Sequence, residues 1–193
     1  MRKNIVLCGV GGQGTVLASR LISAAAMKKG IPVMSAETIG MAQRGGSVFS
    51  HLRLGEGVFS PLIARGEADL ILAFEPGEAV RMLPYLREGG QVVVSSRPVM
   101  PVTATLSGAA YRAEDMLDHL RKHVKNLLIV DADRAMVQVG SPKVLNLILL
   151  GAALKADALG LSENDLKNAI LEKIPEKFHA LNLKALAYVK ENM

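Results

Sequence analysis

Two short stretches hold residue types from which a binding site can be built. The first, Gly9-Val10-Gly11-Gly12-Gln13-Gly14, fits the spacing G-x-G-x-x-G between an apolar run and a segment of helical composition. At such a turn, small residues bring backbone N–H groups and a helix N-terminus close to a ligand, and the partial positive charge there favours phosphate or another anion. A dinucleotide would also need an acid after the following strand to hold a ribose, and Glu37 is suitably spaced. The alternative is that these glycines only permit a tight turn and close helix–strand packing. The second stretch is Gln43-Arg44-Gly45-Gly46-Ser47. Arg44 could clamp a carboxylate or phosphate, and the glycines would let a second backbone approach. A surface arginine beside a glycine-hinged turn is the plainer reading.

Two further constellations are weaker. His119 and His123 stand four residues apart on a predicted helix, a spacing that can chelate a metal. No glutamate follows His119, however, and Arg121, Lys122 and Lys125 would repel a cation. Asp131 and Asp133 follow an apolar run, where paired carboxylates could act, but capping of the helix that begins at Ala132 accounts for them more simply.

The elements that must position these residues can be read from the hydropathy pattern. Near-continuous apolar runs at Asn4–Gly9, Ile31–Ala36, Leu70–Phe74, Gln91–Ser95 and Leu127–Val130 read as strands buried on both faces, as in a parallel sheet. Gln13–Lys29 reads as the helix between the first two, which makes a βαβ unit with a right-handed crossover. Ser47–Leu54 alternates better and precedes Gly55-Glu56-Gly57 and Val58-Phe59-Ser60, so it reads as a hairpin inserted into the framework. Ser141-Pro142 opens a helix through about Asp157 that is apolar nearly all round, hence either central or covered by a partner chain. Ser162 to Asp165 resembles a capping box, and 176–191 reads as a final helix. The expected fold is α/β, a Rossmann-like three-layer arrangement with a mostly parallel sheet, an inserted β-hairpin and a helical C-terminal tail, in one domain over 1–193.

Composition excludes several classes of function. The 193 residues carry 23 basic and 18 acidic side chains, a net charge of +5, but the two signs are mixed along the chain. With four Phe, three Tyr and no Trp there is little aromatic surface for stacking bases, so a nucleic-acid-binding module is the weakest reading. Cys8 is the one cysteine, which removes a disulfide framework and any iron–sulfur cluster ligated within the chain. The most apolar later stretch, Val144 to Leu154, falls well short of the roughly 20 residues of a membrane span. A cytoplasmic protein with no membrane or nucleic-acid partner is expected.

Together these stretches carry a family resemblance. Gly9–Ile22, the AQRGGSV block within Gly40–Gly55, Ser60–Pro76, Leu83–Ser96 and Val144–Leu154 resemble, over nearly the whole chain, the gamma subunits of the 2-oxoacid:ferredoxin oxidoreductases. Within that family, Ala42-Gln43 before Arg44-Gly45-Gly46 resembles the smaller (beta) subunits of the indolepyruvate enzymes. The resemblance implies a hetero-oligomeric oxidoreductase that converts a 2-oxoacid and coenzyme A to acyl-CoA and carbon dioxide while reducing ferredoxin. It also implies that thiamine diphosphate, magnesium and iron–sulfur clusters belong to a larger alpha subunit, so this chain is a non-cofactor subunit, inert alone. Gly9, Gly11, Gly12, Gln13, Gly14, Glu37, Gln43, Arg44, Gly45, Gly46 and Ser47 are then candidates for anion or coenzyme A binding or for the subunit interface, with no catalytic residue of the chain's own. The rival is a free-standing NAD(P)-binding oxidoreductase, which needs the Glu37 site intact.

Overall fold

Strand β1 (Lys3–Val10) is the axis of the molecule. Its Ile5, Val6, Leu7 and Cys8 are wholly buried, as both faces of a central strand must be. The computed structural model describes residues 2–37, 45–100 and 111–192. In these, β1 is flanked by parallel β4 (Ala68–Ala73) and by antiparallel β3 (Ser47–Leu54). With β2 (Val33–Glu37), β5 (Leu86–Ser95) and β6 (Asn126–Val130) the sheet order is β2-β3-β1-β4-β5-β6. Among the described strands β3 alone runs against the others, so the mostly parallel sheet is observed.

Alternation along β1 divides the core. Ile5 and Leu7 join a large aliphatic cluster with α1 (Thr15–Lys28), α4 (Ala132–Val139), α5 (Leu145–Lys155), α6 (Glu163–Lys173) and α7 (His179–Asn192). Val6 and Cys8 face α2 (Pro76–Met82) and α3 (Ala113–His123) on the other side. Helices on both faces of the sheet give the three layers, and α7 is the expected helical tail. The expected caps also form: Ser141 accepts from the Lys143 N–H, and Ser162 and Asp165 make a reciprocal capping box.

The inserted hairpin is present, but its arms differ from the expected ones. β3 pairs with β2, from Val33 opposite Leu54 to Glu37 opposite Ser50, and 58–60 is not a strand. The segment after β3 instead folds over the face of β3 that carries His51 and Arg53. The Arg53 guanidinium donates to the Ser60 and Leu62 carbonyls, and the Ile63 N–H donates to His51 Nδ1 at 2.8 Å. These side-chain bonds satisfy the backbone groups that a second strand pairing would have used.

The structure also decides between the two readings of α5. Every residue from Leu145 to Ala153 is buried within this chain, so its all-round apolar character reflects a central position and not a partner chain. α7 crosses it at Gly151, where a Cβ would come within 2.2 Å of the Leu186 carbonyl oxygen. Gly151→Ala is therefore expected to destabilise the chain by ~1–3 kcal/mol or more, because backbone cannot be repacked like a side chain. Urea unfolding checks this; an unchanged midpoint would contradict the crossing.

Candidate functional site

The two glycine stretches meet at the C-terminal end of β1. Because β3 is antiparallel to β1, the last pairs of their ladder are Gly9 with Val48 and Val10 with Ser47. The chain leaving β1 therefore lies beside the chain entering β3. The Gly11 N–H donates to the Gly46 carbonyl at 2.8 Å, and the Gly45 N–H approaches the Gly11 carbonyl at 3.5 Å. Gln43 and Arg44 lie outside the described residues.

Gln13 fastens the other side of the loop. Its Oε1 accepts from the Val10 N–H at 2.7 Å and its Nε2 donates to the Phe74 carbonyl at 3.0 Å, which ties the loop to the end of β4. This fork engages both ends of the carboxamide, so the Gln13 side chain shapes the loop. Helix α1 accordingly starts at Thr15, two residues later than its composition suggests.

What remains at the mouth is a row of backbone donors. Gly14, the N-cap of α1, has φ 88° and no side chain to cap the helix, and the first turn holds no acid. By contrast, α2, α4 and α6 are capped by Glu75, Asp131 and Ser162. An uncapped helix start leaves its N–H groups and the positive end of the helix dipole available to an anion. Gly12, with φ 101°, has open space where a Cβ would stand.

Asn146 adds a donor that sequence reasoning missed. It lies in the first turn of α5 and is 3% exposed. Its Oδ1 accepts from the Leu147 N–H, while Nδ2 has no acceptor among the described residues. That Nδ2 stands 3.0 Å from the point where a Cβ on Gly14 would lie. The amide thus keeps a donor beside the uncapped helix start. The N-termini of α1 and α5 thus converge on one spot.

Glu37 does not belong to this mouth. β3 stands between β1 and β2, which removes Glu37 by two strand spacings, about 10 Å, from β1. It lines a groove of about 900 Å³ beside α1 with Arg20, Lys28 and Lys173. The other candidates are structural: Asp131 caps α4 by accepting from the Arg134 N–H, Asp133 pairs with Arg97, and His123 Nδ1 lies 2.8 Å from the His119 carbonyl. No group of three or more metal-ligating side chains forms among the described residues.

The model of the pyruvate ferredoxin/flavodoxin oxidoreductase family matches residues 4–191. The chain belongs to that family. It is 37% identical over 187 residues to the indolepyruvate oxidoreductase subunit IorB of Thermococcus kodakarensis, covering 94% of this chain and 91% of that one. The IorB subunit of Archaeoglobus fulgidus is 38% identical, with 96% and 92% covered. In three dimensions the fold matches the pyruvate oxidoreductase subunit PORC of Thermotoga maritima, with TM-score 0.71, 20% identity and 98% and 96% coverage. It also matches 32% of the 2-oxoglutarate:ferredoxin oxidoreductase of Magnetococcus marinus across 100% of this chain, with TM-score 0.70 and 20% identity.

A buried acidic pair completes the edge of this family member. Glu75 caps α2 by accepting from the Glu78 N–H at 2.9 Å, and it also accepts from the Tyr111 hydroxyl. Burial, with Glu75 alongside, pushes the Tyr111 phenol up. Glu78 accepts from the Ser47 hydroxyl at 2.5 Å and lies 3.4 Å from the Arg81 guanidinium. Burial raises its carboxyl above the usual range despite these partners. Beneath them, burial and the charges of Glu78 and Glu75 push the Cys8 thiol well up, which leaves it an inert core residue. The only sequence signal for this pair was its place in Phe74-Glu75-Pro76-Gly77-Glu78, directly after a strand.

Because the folded value of Glu78 is raised, the folded state binds the proton more tightly than the unfolded one. The associated stability is present below the ordinary carboxyl value of 4.5 and is lost as pH rises through the raised value. Glu78→Gln, which cannot ionise, should gain stability relative to the unmodified chain between pH 4 and pH 7 in urea unfolding. An equal difference at both pH values would contradict the raised carboxyl.

Proposed function

We propose that this chain is the non-cofactor subunit of a 2-oxoacid:ferredoxin oxidoreductase acting on aryl-pyruvates, and that its glycine loop holds the phosphate groups of coenzyme A against a larger subunit. The carrying observation is the uncapped start of α1, with open space at Gly12 and the Asn146 Nδ2 donor beside Gly14. Backbone N–H groups and a neutral amide can bind phosphate oxygens without a lysine or arginine in the loop.

Three observations support the finer parts of this reading. Relatives with 36–38% identity over most of the chain are named indolepyruvate oxidoreductase subunits, which favours the aryl-pyruvate branch. The Magnetococcus marinus enzyme, similar in fold, was solved with 2-oxoglutarate, coenzyme A and succinyl-CoA bound. The chain also presents Phe59, 91% exposed, and Leu62, 63% exposed, which are apolar side chains suited to a protein partner.

The donor set of this chain does not fit the family's redox groups. Its single cysteine is buried in the core and cannot ligate a cluster. In this reading the larger subunit carries the thiamine diphosphate, magnesium and iron–sulfur clusters, which supply decarboxylation and one-electron transfer to ferredoxin. The contribution of this chain is to bind and orient the acyl acceptor. A free-standing NAD(P) enzyme is disfavoured, since β3 separates Glu37 from the glycine loop.

The test is co-expression with the larger subunit and assay of ferredoxin reduction. Coenzyme A-dependent turnover of indolepyruvate should need both chains and exceed that of pyruvate in kcat/KM. Asn146→Leu should raise the KM for coenzyme A roughly tenfold, the loss of one or two good hydrogen bonds. Micromolar binding of NAD(H) or NADP(H) to the isolated chain by calorimetry would overturn the reading in favour of its rival.

A further inference from the structure

The hydrogen bonds at the mouth close into a ring, and Glu78 is the member that links its two sides. From Gly11 the ring passes to the Gly46 carbonyl at 2.8 Å and along the backbone to Ser47, whose hydroxyl donates to Glu78 at 2.5 Å. The Glu78 N–H then donates to Glu75 at 2.9 Å. Glu75 follows Phe74, whose carbonyl accepts from Gln13, and Gln13 returns to Val10. The loop is therefore held on two sides, to β4 by Gln13 and to β3 through Ser47.

Glu75 makes the side-chain cap of α2, while Glu78 stands in its first turn and its carboxylate makes no cap hydrogen bond. Its ionic partner, Arg81, is 60% exposed, and a contact screened by water does little to keep a carboxylate buried. Yet Glu78 is only 6% exposed and lies over the Cys8 thiol. Of its contacts, only the one to Ser47 is both short and directional. Ser47 sits at the last pair of the β1–β3 ladder, one residue from the carbonyl that takes the Gly11 N–H. A hydroxyl fixed there fixes the peptide before it.

We propose that Glu78 is a positioning residue for the coenzyme site: through Ser47 it holds the Gly46 carbonyl on the Gly11 N–H and so sets the opening of the glycine loop. The inference rests on the reading of that loop as the phosphate site for coenzyme A. Preorganised donors bind more tightly than donors that must be ordered by the ligand. Loosening the ring therefore weakens coenzyme binding without touching the chemical step.

The experiment uses the assembled enzyme with saturating 2-oxoacid and ferredoxin, and reads KM for coenzyme A separately from kcat. Glu78→Ala and Ser47→Ala should each raise that KM by about 5- to 10-fold with kcat nearly unchanged. The double variant should be no worse than either single one, because both break the same link. Glu78→Gln keeps an acceptor for the Ser47 hydroxyl and should restore most of the affinity, whereas Glu78→Met, which keeps the bulk without the acceptor, should not. An unaltered KM in Glu78→Ala, additive effects in the double variant, or Glu78→Gln as impaired as Glu78→Ala would each overturn the proposal. Asn146→Leu separates the two ideas. If it raises KM while Glu78→Ala does not, only the positioning role fails; if neither does, the phosphate-site reading fails with it.

Discussion

The hydrogen bond from the Gly11 N–H to the Gly46 carbonyl is the contact on which the candidate site depends. It exists because one strand of an otherwise parallel sheet is reversed. In a plain dinucleotide-binding arrangement, the neighbour of β1 on this side would be a parallel strand ending in an acid. Here β3 occupies that place and runs the other way, so its start, with Gly45, Gly46 and Ser47, lies beside the loop that leaves β1. The same insertion that builds one site removes the other, since it carries Glu37 away to the edge of the sheet.

The electrostatics of the mouth follow from this layout. On the α1 side are backbone donors and two helix starts, with no acid in the first turn of either α1 or α5. On the α2 side are two buried carboxylates, Glu75 with hydroxyl and backbone donors and Glu78 with the Ser47 hydroxyl and the Arg81 guanidinium. Buried carboxylates cost free energy unless they are well bonded, and their bonds here run to the strands and turns that frame the loop. The negative groups thus serve as anchors within the sheet edge, while the uncapped helix start faces outward. This division leaves backbone N–H groups and the Asn146 amide at the mouth, donors of the kind that can bind an anion.

Much of the fold was legible in the sequence. Apolar runs such as Leu70–Phe74 and Gln91–Ser95 mark the buried parallel strands, because only strands covered on both faces can be apolar at every position. Local capping at Ser141 and Ser162 was equally readable, since a short polar side chain before a helical run has one obvious use. Partners far apart in sequence were not. The pairing of β3 with β2 instead of 58–60 depends on His51 and Arg53 holding the following segment, which periodicity cannot report. For the same reason, a helix apolar all round gave no sign of whether α7 or another chain would cover it. At the site, the glycine spacing pointed to the right loop, but Asn146, Glu75 and Glu78 reach it from 132, 61 and 64 positions beyond Gly14, counted from the sequence. Gln13 shows the limit in reverse, for its side chain is spent on the loop itself.

The central claim is that coenzyme A phosphates sit on the backbone donors of the glycine loop. Hydrogen–deuterium exchange of the assembled enzyme, with and without coenzyme A, reads those donors directly. The account predicts slowed exchange at the amides of 12–17 on addition of coenzyme A, with little change along the edge strand β2. Unchanged exchange at 12–17 under saturating coenzyme A, with protection confined to other parts of the complex, would contradict it.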